Sequence, residues 1–564
     1  MNGASPSDGA AESLAGFVWR TRYRAPGEGS LDDTLRRVAR ATAAAEQDRQ
    51  GWEARFYAVL KDLRFVPGGR ILAGAGRPGG ATLLNCFVLP GPGASVERCM
   101  ASLSEAMVTL CAGGGVGIDF SGAPQRGAAV ADGPAAPGPV ALLALWDQAC
   151  AVLLAEAQRR GAMMGALNCA HPDVETFAAA KGRPGALPRF DLSIGITDGF
   201  MAAVEADRAW TLRFPIAAGG RAPGRLVRAR DLWRHIMTCA YETGEPGVLF
   251  LDRIDEANNL RGQERIATTN PCGEIPLPDY GGCTLGSLNL ARFVKDPFTE
   301  RARLDLAGLA QTAATAVRLL DNVIDLSPYP LPKQAEAARS SRRVGLGIMG
   351  LADALVMLGM RYGEPASLQA AAEMMRAIRD AAYGASIGLA REKGAFPVFQ
   401  RDAYLASPFV QALPPGVRDG IAEHGIRNSH LLAIAPTGAI SLLAGAGSSG
   451  LEPIFDEVRS LTVAGDDGSA QAFQVLDPAV AAWRAMGRSA RPPGYVEARE
   501  LSIAAHLGMQ AALQPFVDNA ISKTVNVASD LPFEAFQDIY RDAHRLGLKG
   551  CTVFRGCAAR ACEA

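Results

Sequence analysis

Short apolar runs alternate with helical stretches along most of this 564-residue chain. RFDLSIGIT and HLLAIAP read as strands, VALLALWDQACAVLLAEA and SLQAAAEMMRAIRDAAYGASIGLAREKG as helices. Such alternation predicts an α/β fold around a mainly parallel sheet, open or closed into a barrel. With 57 basic and 58 acidic side chains the net charge is −1, so the basic excess of a duplex-DNA binder is missing. Hydrophobic residues at 48% exclude a disordered chain. The sequence has no membrane-length apolar stretch, and MNGASPSDGAAES lacks a secretory signal. These features predict a cytoplasmic protein with neither a membrane nor a nucleic acid as partner. The 11 cysteines are odd in number and contain no C-x-x-C pair, which argues against a disulfide framework or a zinc site. No metal site is expected.

Residues 1–12 are small and polar and read as a disordered tail, followed by a helical region over 13–75. Within it, 31–64 has helical periodicity, with Leu31, Leu35, Val38 and Ala39 on one face. Gly and Pro clusters then bracket a short strand, Thr82 to Leu89. The main α/β body is expected over 76–556 and a cysteine-containing tail over 557–564. Residues 456–500, richer in charge, Gly and Pro, read as a surface excursion.

Three motifs suggest more than they carry. GAGRPG (74–79) and GLGIMG (345–350) match a dinucleotide fingerprint. The first contains Pro78 and runs into a strand. The second follows SSRR, too polar for the buried strand such a unit needs. Both read as tight turns or close helix packing. DAHRLG (542–547) matches a cobalamin-ligating pattern, but reads as the end of an amphipathic helix with Gly547 as its C′ residue.

In TTNPCGEIPLPDYGGCTLGSLNL (268–290), Asn270, Cys272 and Glu274 alternate. In an extended segment they share one face, pointing an amide, a thiol and a carboxylate into one volume. Pro271 favours extended geometry before it. Alone, the segment also fits a loop with one buried cysteine. Two further thiols, Cys283 in GGCTLGSLNL and Cys86 in LLNCFVL, strengthen the chemical reading.

NPCGEIPL followed by CTLGSLNL resembles the radical site of ribonucleotide reductase. FVPGGRIL, LNCFV, GGGVGIDFS, RRGAMMGALNCAHPDVETF, GEPGVLFLDRI, RRVGLGIMGLADAL, LLAIAPTGAISLLAG, SSGLEPIF, ISKTVNV and GCTVFRG extend the resemblance, in order, from about residue 30 to about 556. The NPCGE form resembles the adenosylcobalamin-dependent class II, which agrees with the absence of paired C-terminal tyrosines and of a glycyl-radical motif. The resemblance implies a ten-stranded α/β barrel, two antiparallel halves of five parallel strands, with a finger loop carrying Cys272 through its centre.

It also implies roles. Cys272 is the thiyl radical that abstracts the ribose 3′ hydrogen, Glu274 the base at the 3′ hydroxyl, and Asn270 the group holding the sugar hydroxyls. Cys86 and Cys283 form the dithiol that delivers two electrons as the 2′ hydroxyl leaves. Pro436, Thr437, Gly438 and Ser441 in APTGAIS resemble the substrate-phosphate turn, and Arg159, Arg160 and Gly161 the loop linking a deoxynucleotide effector to substrate choice. Cys557 and Cys562 resemble a mobile pair that reduces the active-site disulfide, itself reduced by a thioredoxin-like or small-thiol partner. A homodimer is implied, and regulation by a nucleotide-binding domain before residue 30 is not expected. The chain departs from the family at Ala439, where a second threonine is usual, in ADGPAAPGPVALL, which lacks the usual Ser and Thr, and before Arg159, where Gly-Gly is usual. The function implied is reduction of ribonucleotides, as diphosphates, to deoxyribonucleotides. The alternatives are a catalytically silent nucleotide-binding paralogue and a radical enzyme acting on another polyol.

Overall fold

The computed structural model describes residues 12–79, 81–129, 135–155, 161–214, 224–464 and 470–556. Ten strands form one sheet: β1 (Phe65–Pro67), β2 (Cys86–Leu89), β3 (Gly115–Asp119), β4 (Met163–Asn168), β5 (Phe190–Ile196), β6 (Gly247–Phe250), β7 (Gly282–Asn289), β8 (Val344–Met349), β9 (Thr524–Val527) and β10 (Gly550–Arg555). The strand expected from Thr82 begins only at Cys86. Ahead of it, Leu83 N–H donates to Ser327 Oγ (3.0 Å) and Leu84 N–H to Thr82 Oγ1 (3.2 Å). Hydroxyl acceptors there replace ladder partners.

Strands β2 to β6 run parallel in chain order. β7 is antiparallel to β2 and parallel to β8. β10 is antiparallel to β6 and parallel to β9. β1 adds to the far end of β7. The HLLAIAP run, expected as a strand, makes only two isolated parallel bridges, Leu346 with Leu432 and Ile434 with Ile521. The Leu431 and Leu432 N–H groups donate instead to the Asp518 carboxylate, each at 2.8 Å. The bridges nonetheless set this run between β8 and the residues entering β9. Neighbour by neighbour, the pairings then make a circuit of two antiparallel halves, β2–β6 and β7, β8, 431–434, β9, β10.

Three apolar clusters follow from this arrangement. One joins the N-terminal helices and the long helices Leu306–Leu326 and Pro365–Lys393 to the second half, and another packs helices on the first half. The third is small: Val88, Ile275, Leu277, Cys283, Leu285 and Ala433. Its members come from facing strands and from a hairpin, Thr268–Thr269 with Pro276–Leu277, which therefore runs through the interior. Glycines make room. A Cβ on Gly117 would lie 1.9 Å from the Thr269 carbonyl oxygen, and one on Gly345 3.1 Å from Ile275 Cδ1. GLGIMG is thus largely strand β8, where tight turns or close helix packing were expected: Gly345 admits the hairpin and Gly347 the backbone of residues 433–434. GAGRPG is a turn, with Gly76 at φ +75 packed on Arg37 and Ala41.

The 31–64 periodicity yields helices Leu31–Ala43 and Arg49–Leu60, with Leu35, Val38 and Ala39 buried. The Ser30/Asp33 capping box starts the first of them. Glu46 ties this layer to the long helices, accepting from Arg318 at 2.8 and 2.7 Å, from Asn322 (2.8 Å) and from Lys393 (2.9 Å). Burial alone would raise its pKa, but these donors hold it at about 2. Residues 458–476 include a largely exposed antiparallel hairpin, in keeping with a surface excursion. DAHRLG ends the helix Phe533–Arg545, with Gly547 at φ +72, as its periodicity predicts. Among the described residues, no helix is long and apolar enough to cross a membrane.

Gly117→Ala is expected to displace backbone, not a side-chain tip, and to destabilise by about 2 kcal/mol. Gly384→Ala, in a helix where a Cβ meets nothing within 4 Å, is expected to be neutral or stabilising. Denaturant midpoints of the two variants test the contrast.

Candidate active site

β2 and β7 are antiparallel neighbours whose register sets Cys86 opposite Cys283. Side chains at such positions stand side by side on one face. Both thiols are free and buried. The hairpin supplies the remaining groups, but its tip is not the extended run that the Asn270, Cys272, Glu274 alternation predicts. Gly273, at φ +84, donates to the Asn270 carbonyl (3.1 Å), and Ile275 N–H donates to Asn270 Oδ1 (2.9 Å). These bonds fold a tight turn, which has no common i, i+2, i+4 face. Asn270 and Glu274 are consequently buried while Cys272 is exposed.

Asn270 Nδ2 donates to Cys86 Sγ at 3.3 Å, joining the turn to the thiol pair. Burial pushes the Cys86 thiol well above its ordinary range, and the Glu274 carboxylate pushes it further. Burial raises Cys283 too, opposed by the Arg343 guanidinium. Both are therefore neutral thiols at neutral pH, holding hydrogen ready to give. Burial lifts the Glu274 carboxyl to about 7, against the opposing hydrogen bond of Asn270. Its Oε2 makes no hydrogen bond among the described residues, so one acceptor is open beside the thiols. A carboxyl titrating near neutrality can take or return a proton at little cost.

Backbone bonds connect this turn to the APTGAIS segment. Glu274 carbonyl accepts from Ala520 N–H (2.9 Å), and Ala520 carbonyl from Ile434 N–H (3.1 Å). Two residues beyond Ile434 the chain turns at Pro436, and Thr437 takes φ +54 before the helix Gly438–Ala444. A β-branched residue there costs about 1–3 kcal/mol, which the surrounding bonds must offset. Thr437 Oγ1 accepts from Gly450 N–H (3.1 Å), and Ser441 Oγ donates to the Gly438 carbonyl (2.7 Å). Both hydroxyls are thus engaged within the loop. Gly161 precedes β4 and packs so closely on the helix Pro139–Leu153 that a Cβ would meet Cys150 Sγ at 2.5 Å. Arg159, Arg160, Cys557 and Cys562 lie outside the described residues.

Sequence reading passed over a buried polar cluster at the strand starts: Arg343 before β8, Asp518 before β9 and Lys549 before β10. Arg343 pairs with Glu264 (2.5 Å) and donates to His430 Nδ1 (3.1 Å). Lys549 donates to the Asp518 carbonyl (2.7 Å), and burial lowers its pKa to about 7. The available signal was a basic residue directly before an apolar strand in RRVGLG and LKGCTV.

Comparison with known proteins accords with this arrangement. The family model "Ribonucleotide reductase, all-alpha domain" matches residues 12–80, and "Ribonucleotide reductase, barrel domain" matches residues 84–554. A vitamin B12-dependent ribonucleoside-diphosphate reductase of Mycobacterium tuberculosis is 38% identical over 552 residues, covering 93% of this chain and 76% of that protein. One of the same name from Thermoplasma acidophilum is 34% identical, covering 89% and 65%. A vitamin B12-dependent ribonucleotide reductase of Streptomyces clavuligerus is 25% identical, covering 88% and 59%. With two family domains matched in order and relatives this similar along most of its length, the chain belongs to the ribonucleotide reductase family.

Proposed function

We propose that the chain reduces ribonucleoside diphosphates to 2′-deoxyribonucleoside diphosphates, with adenosylcobalamin as cofactor. One observation carries the reading: an exposed thiol, Cys272, sits on a turn whose buried Asn270 and Glu274 adjoin the buried Cys86–Cys283 pair. The names of the relatives supply the cofactor and the diphosphate.

Cys272 shuttles the hydrogen atom. As a thiyl radical it takes the hydrogen from ribose C3′, and it returns one at the end. Ionised Glu274 accepts the 3′-hydroxyl proton at its open Oε2. Asn270, fixed by Cys86 and Ile275, orients the sugar hydroxyls. The neutral Cys86 and Cys283 thiols supply two electrons and two protons as the 2′ oxygen departs in water, and the two sulfurs join in a disulfide. A dithiol of thioredoxin type, or a small thiol, returns them to the reduced state, with Cys557 and Cys562 as relay. Pro436, Thr437, Gly438 and Ser441 form the turn that receives the substrate phosphates.

The residues fit the cofactor. Cys272 is the exposed member of the group, the one thiol of the three that a bulky reagent can reach. When bound, adenosylcobalamin supplies one-electron chemistry by cleavage of its cobalt–carbon bond. His544 Nε2 contacts Asp198 at 2.8 Å at the end of its amphipathic helix.

Arg159, Arg160 and Gly161 couple a deoxynucleotide effector to substrate choice across a homodimer. Support comes from helices Val96–Cys111 and Pro139–Leu153, against which Gly161 packs and which expose Met100, Val108, Val152 and Leu153. They border a groove of about 500 Å³. Such an apolar face fits a second copy of the chain.

Three outcomes are expected. Anaerobic turnover of CDP, ADP, GDP and UDP with adenosylcobalamin and dithiothreitol gives deoxynucleotide that disappears in Cys272→Ala. Product from Cys272→Ala would discard the radical assignment. Activity falls about tenfold per pH unit below about 7 as Glu274 protonates, and Glu274→Gln loses about 10²–10⁴-fold. An acid limb unchanged in Glu274→Gln would remove that residue as base. Val108→Glu sediments as a monomer at concentrations where the parent is a dimer.

A further inference from the structure

One short stretch, residues 520–524 at the entry to β9, bonds to both ends of the phosphate turn. On the entry side, Ile434 N–H donates to the Ala520 carbonyl (3.1 Å) and Ser522 N–H to the Ile434 carbonyl (2.9 Å). On the exit side, the Glu452 carboxylate takes two bonds. Lys523 Nζ donates to its Oε2 (2.5 Å) and Thr524 N–H to its Oε1 (2.9 Å). Lys523 Nζ also donates to the Thr524 carbonyl (2.6 Å). The Lys523 side chain is 0% exposed and that of Glu452 13%. A buried ion pair gains little stability over apolar side chains of the same volume; what it can give is a fixed geometry.

The segment between these ties has a shape that needs holding. Thr437 lies at φ +54 and Gly450 at φ +55. Gly450 N–H donates to Thr437 Oγ1 (3.1 Å), and a Cβ on Gly450 would meet the Ala435 carbonyl oxygen at 2.7 Å. Glu452 N–H donates to the Ser449 carbonyl (2.8 Å), and Ser449 Oγ lies 3.2 Å from Ser441 Oγ. Glu452 thus passes the position of β9 to Ser449 and Gly450, and these pass it to Ser441 and Thr437. A left-handed threonine persists only where its surroundings over-determine it.

We propose that the Lys523–Glu452 ion pair positions the phosphate turn, fixing Gly450 and through it Thr437 in the shape that receives the substrate phosphates. The inference rests on the phosphate role assigned above to Pro436, Thr437, Gly438 and Ser441. Lys523 and Glu452 are positioning residues: they act on the substrate through Ser449 and Gly450. Without the pair, the turn would have to be ordered at the moment of binding, which lowers affinity for whatever it holds.

The rest of the loop has its own supports. Asp353 accepts from Gly447 N–H (3.1 Å) and Ser448 N–H (2.9 Å), and Tyr362 Oη donates to the Leu451 carbonyl (2.7 Å). Loss of the ion pair is therefore expected to loosen the turn locally and to leave the fold in place.

The test compares CDP with cytidine, which has the same base and sugar and no phosphate. Binding of each to the full chain is measured by calorimetry without added cofactor, for the parent and for Lys523→Met/Glu452→Gln, which leaves no buried ion unpaired. The double variant is expected to lose on the order of tenfold in affinity for CDP and to bind cytidine as the parent does. In anaerobic turnover with adenosylcobalamin and dithiothreitol, the KM for CDP is expected to rise by the same factor, with kcat within about twofold of the parent. Unchanged CDP affinity overturns the proposal. So does an equal loss for both ligands, which is general loosening, or a fall in kcat at unchanged KM, which would place the effect at the catalytic turn. If the parent binds CDP no better than cytidine, the phosphate role of the turn falls and the proposal with it. The binding comparison needs no turnover, so it stands apart from the outcome of the reductase assay. Should the double variant not fold, Glu452→Gln alone decides by the same comparison: it keeps acceptors for Lys523 and Thr524, and a several-fold loss confined to CDP is expected.

Discussion

Backbone can cross the inside of a ring of strands only where the wall carries no side chains. Here the Thr268–Leu277 hairpin passes so close to β3 that Gly117 leaves no space for a methyl group. The remaining contacts follow from that passage. Ile275 and Leu277 fill the interior with Val88 and Leu285. The turn at Gly273 leaves Cys272 exposed, and Asn270 reaches Cys86. The Ala520 bond to the Glu274 carbonyl fixes the tip from the opposite half. The hairpin is therefore positioned by backbone geometry as well as by side-chain packing.

Low polarity in this interior sets the chemistry. Burial keeps the paired thiols protonated and brings a glutamate into the neutral range. In water the same carboxyl would be ionised and a poorer proton carrier at pH 7. The cost is borne by a surrounding frame of satisfied polar groups, such as Asp518, which caps Leu431 and Leu432 and accepts from Tyr383.

Much of this was legible in the sequence. Strand–helix alternation has a simple physical source, the period of apolar residues, and it gave the α/β class and the helices over 31–60. The alternation of Asn270, Cys272 and Glu274 predicts an extended run where the structure folds a turn, because positive φ at Gly273 has no periodic signature. HLLAIAP has the composition of a strand, yet a distant carboxylate, Asp518, takes two of its donors. GLGIMG looked like a turn because glycine is ambiguous: it permits sharp bends and also close approach within a straight strand. Arg343 and Lys549 escaped notice because a basic residue before a strand looks solvated until its partners, contributed from far along the chain, are known.

The position of the cysteines has a mechanical side. β2–β7 and β6–β10 are the two seams at which the antiparallel halves meet. Cys86 and Cys283 straddle the first seam. At the second, Cys551 faces Val248 and Gly550 faces Leu249, so no such bond can form. Closing the Cys86–Cys283 disulfide would rivet one seam and leave the other held by hydrogen bonds and apolar packing. Each cycle would then stiffen and relax the cylinder on one side, and any breathing of the oxidised form would be hinged away from the reacting groups, at β6 and β10.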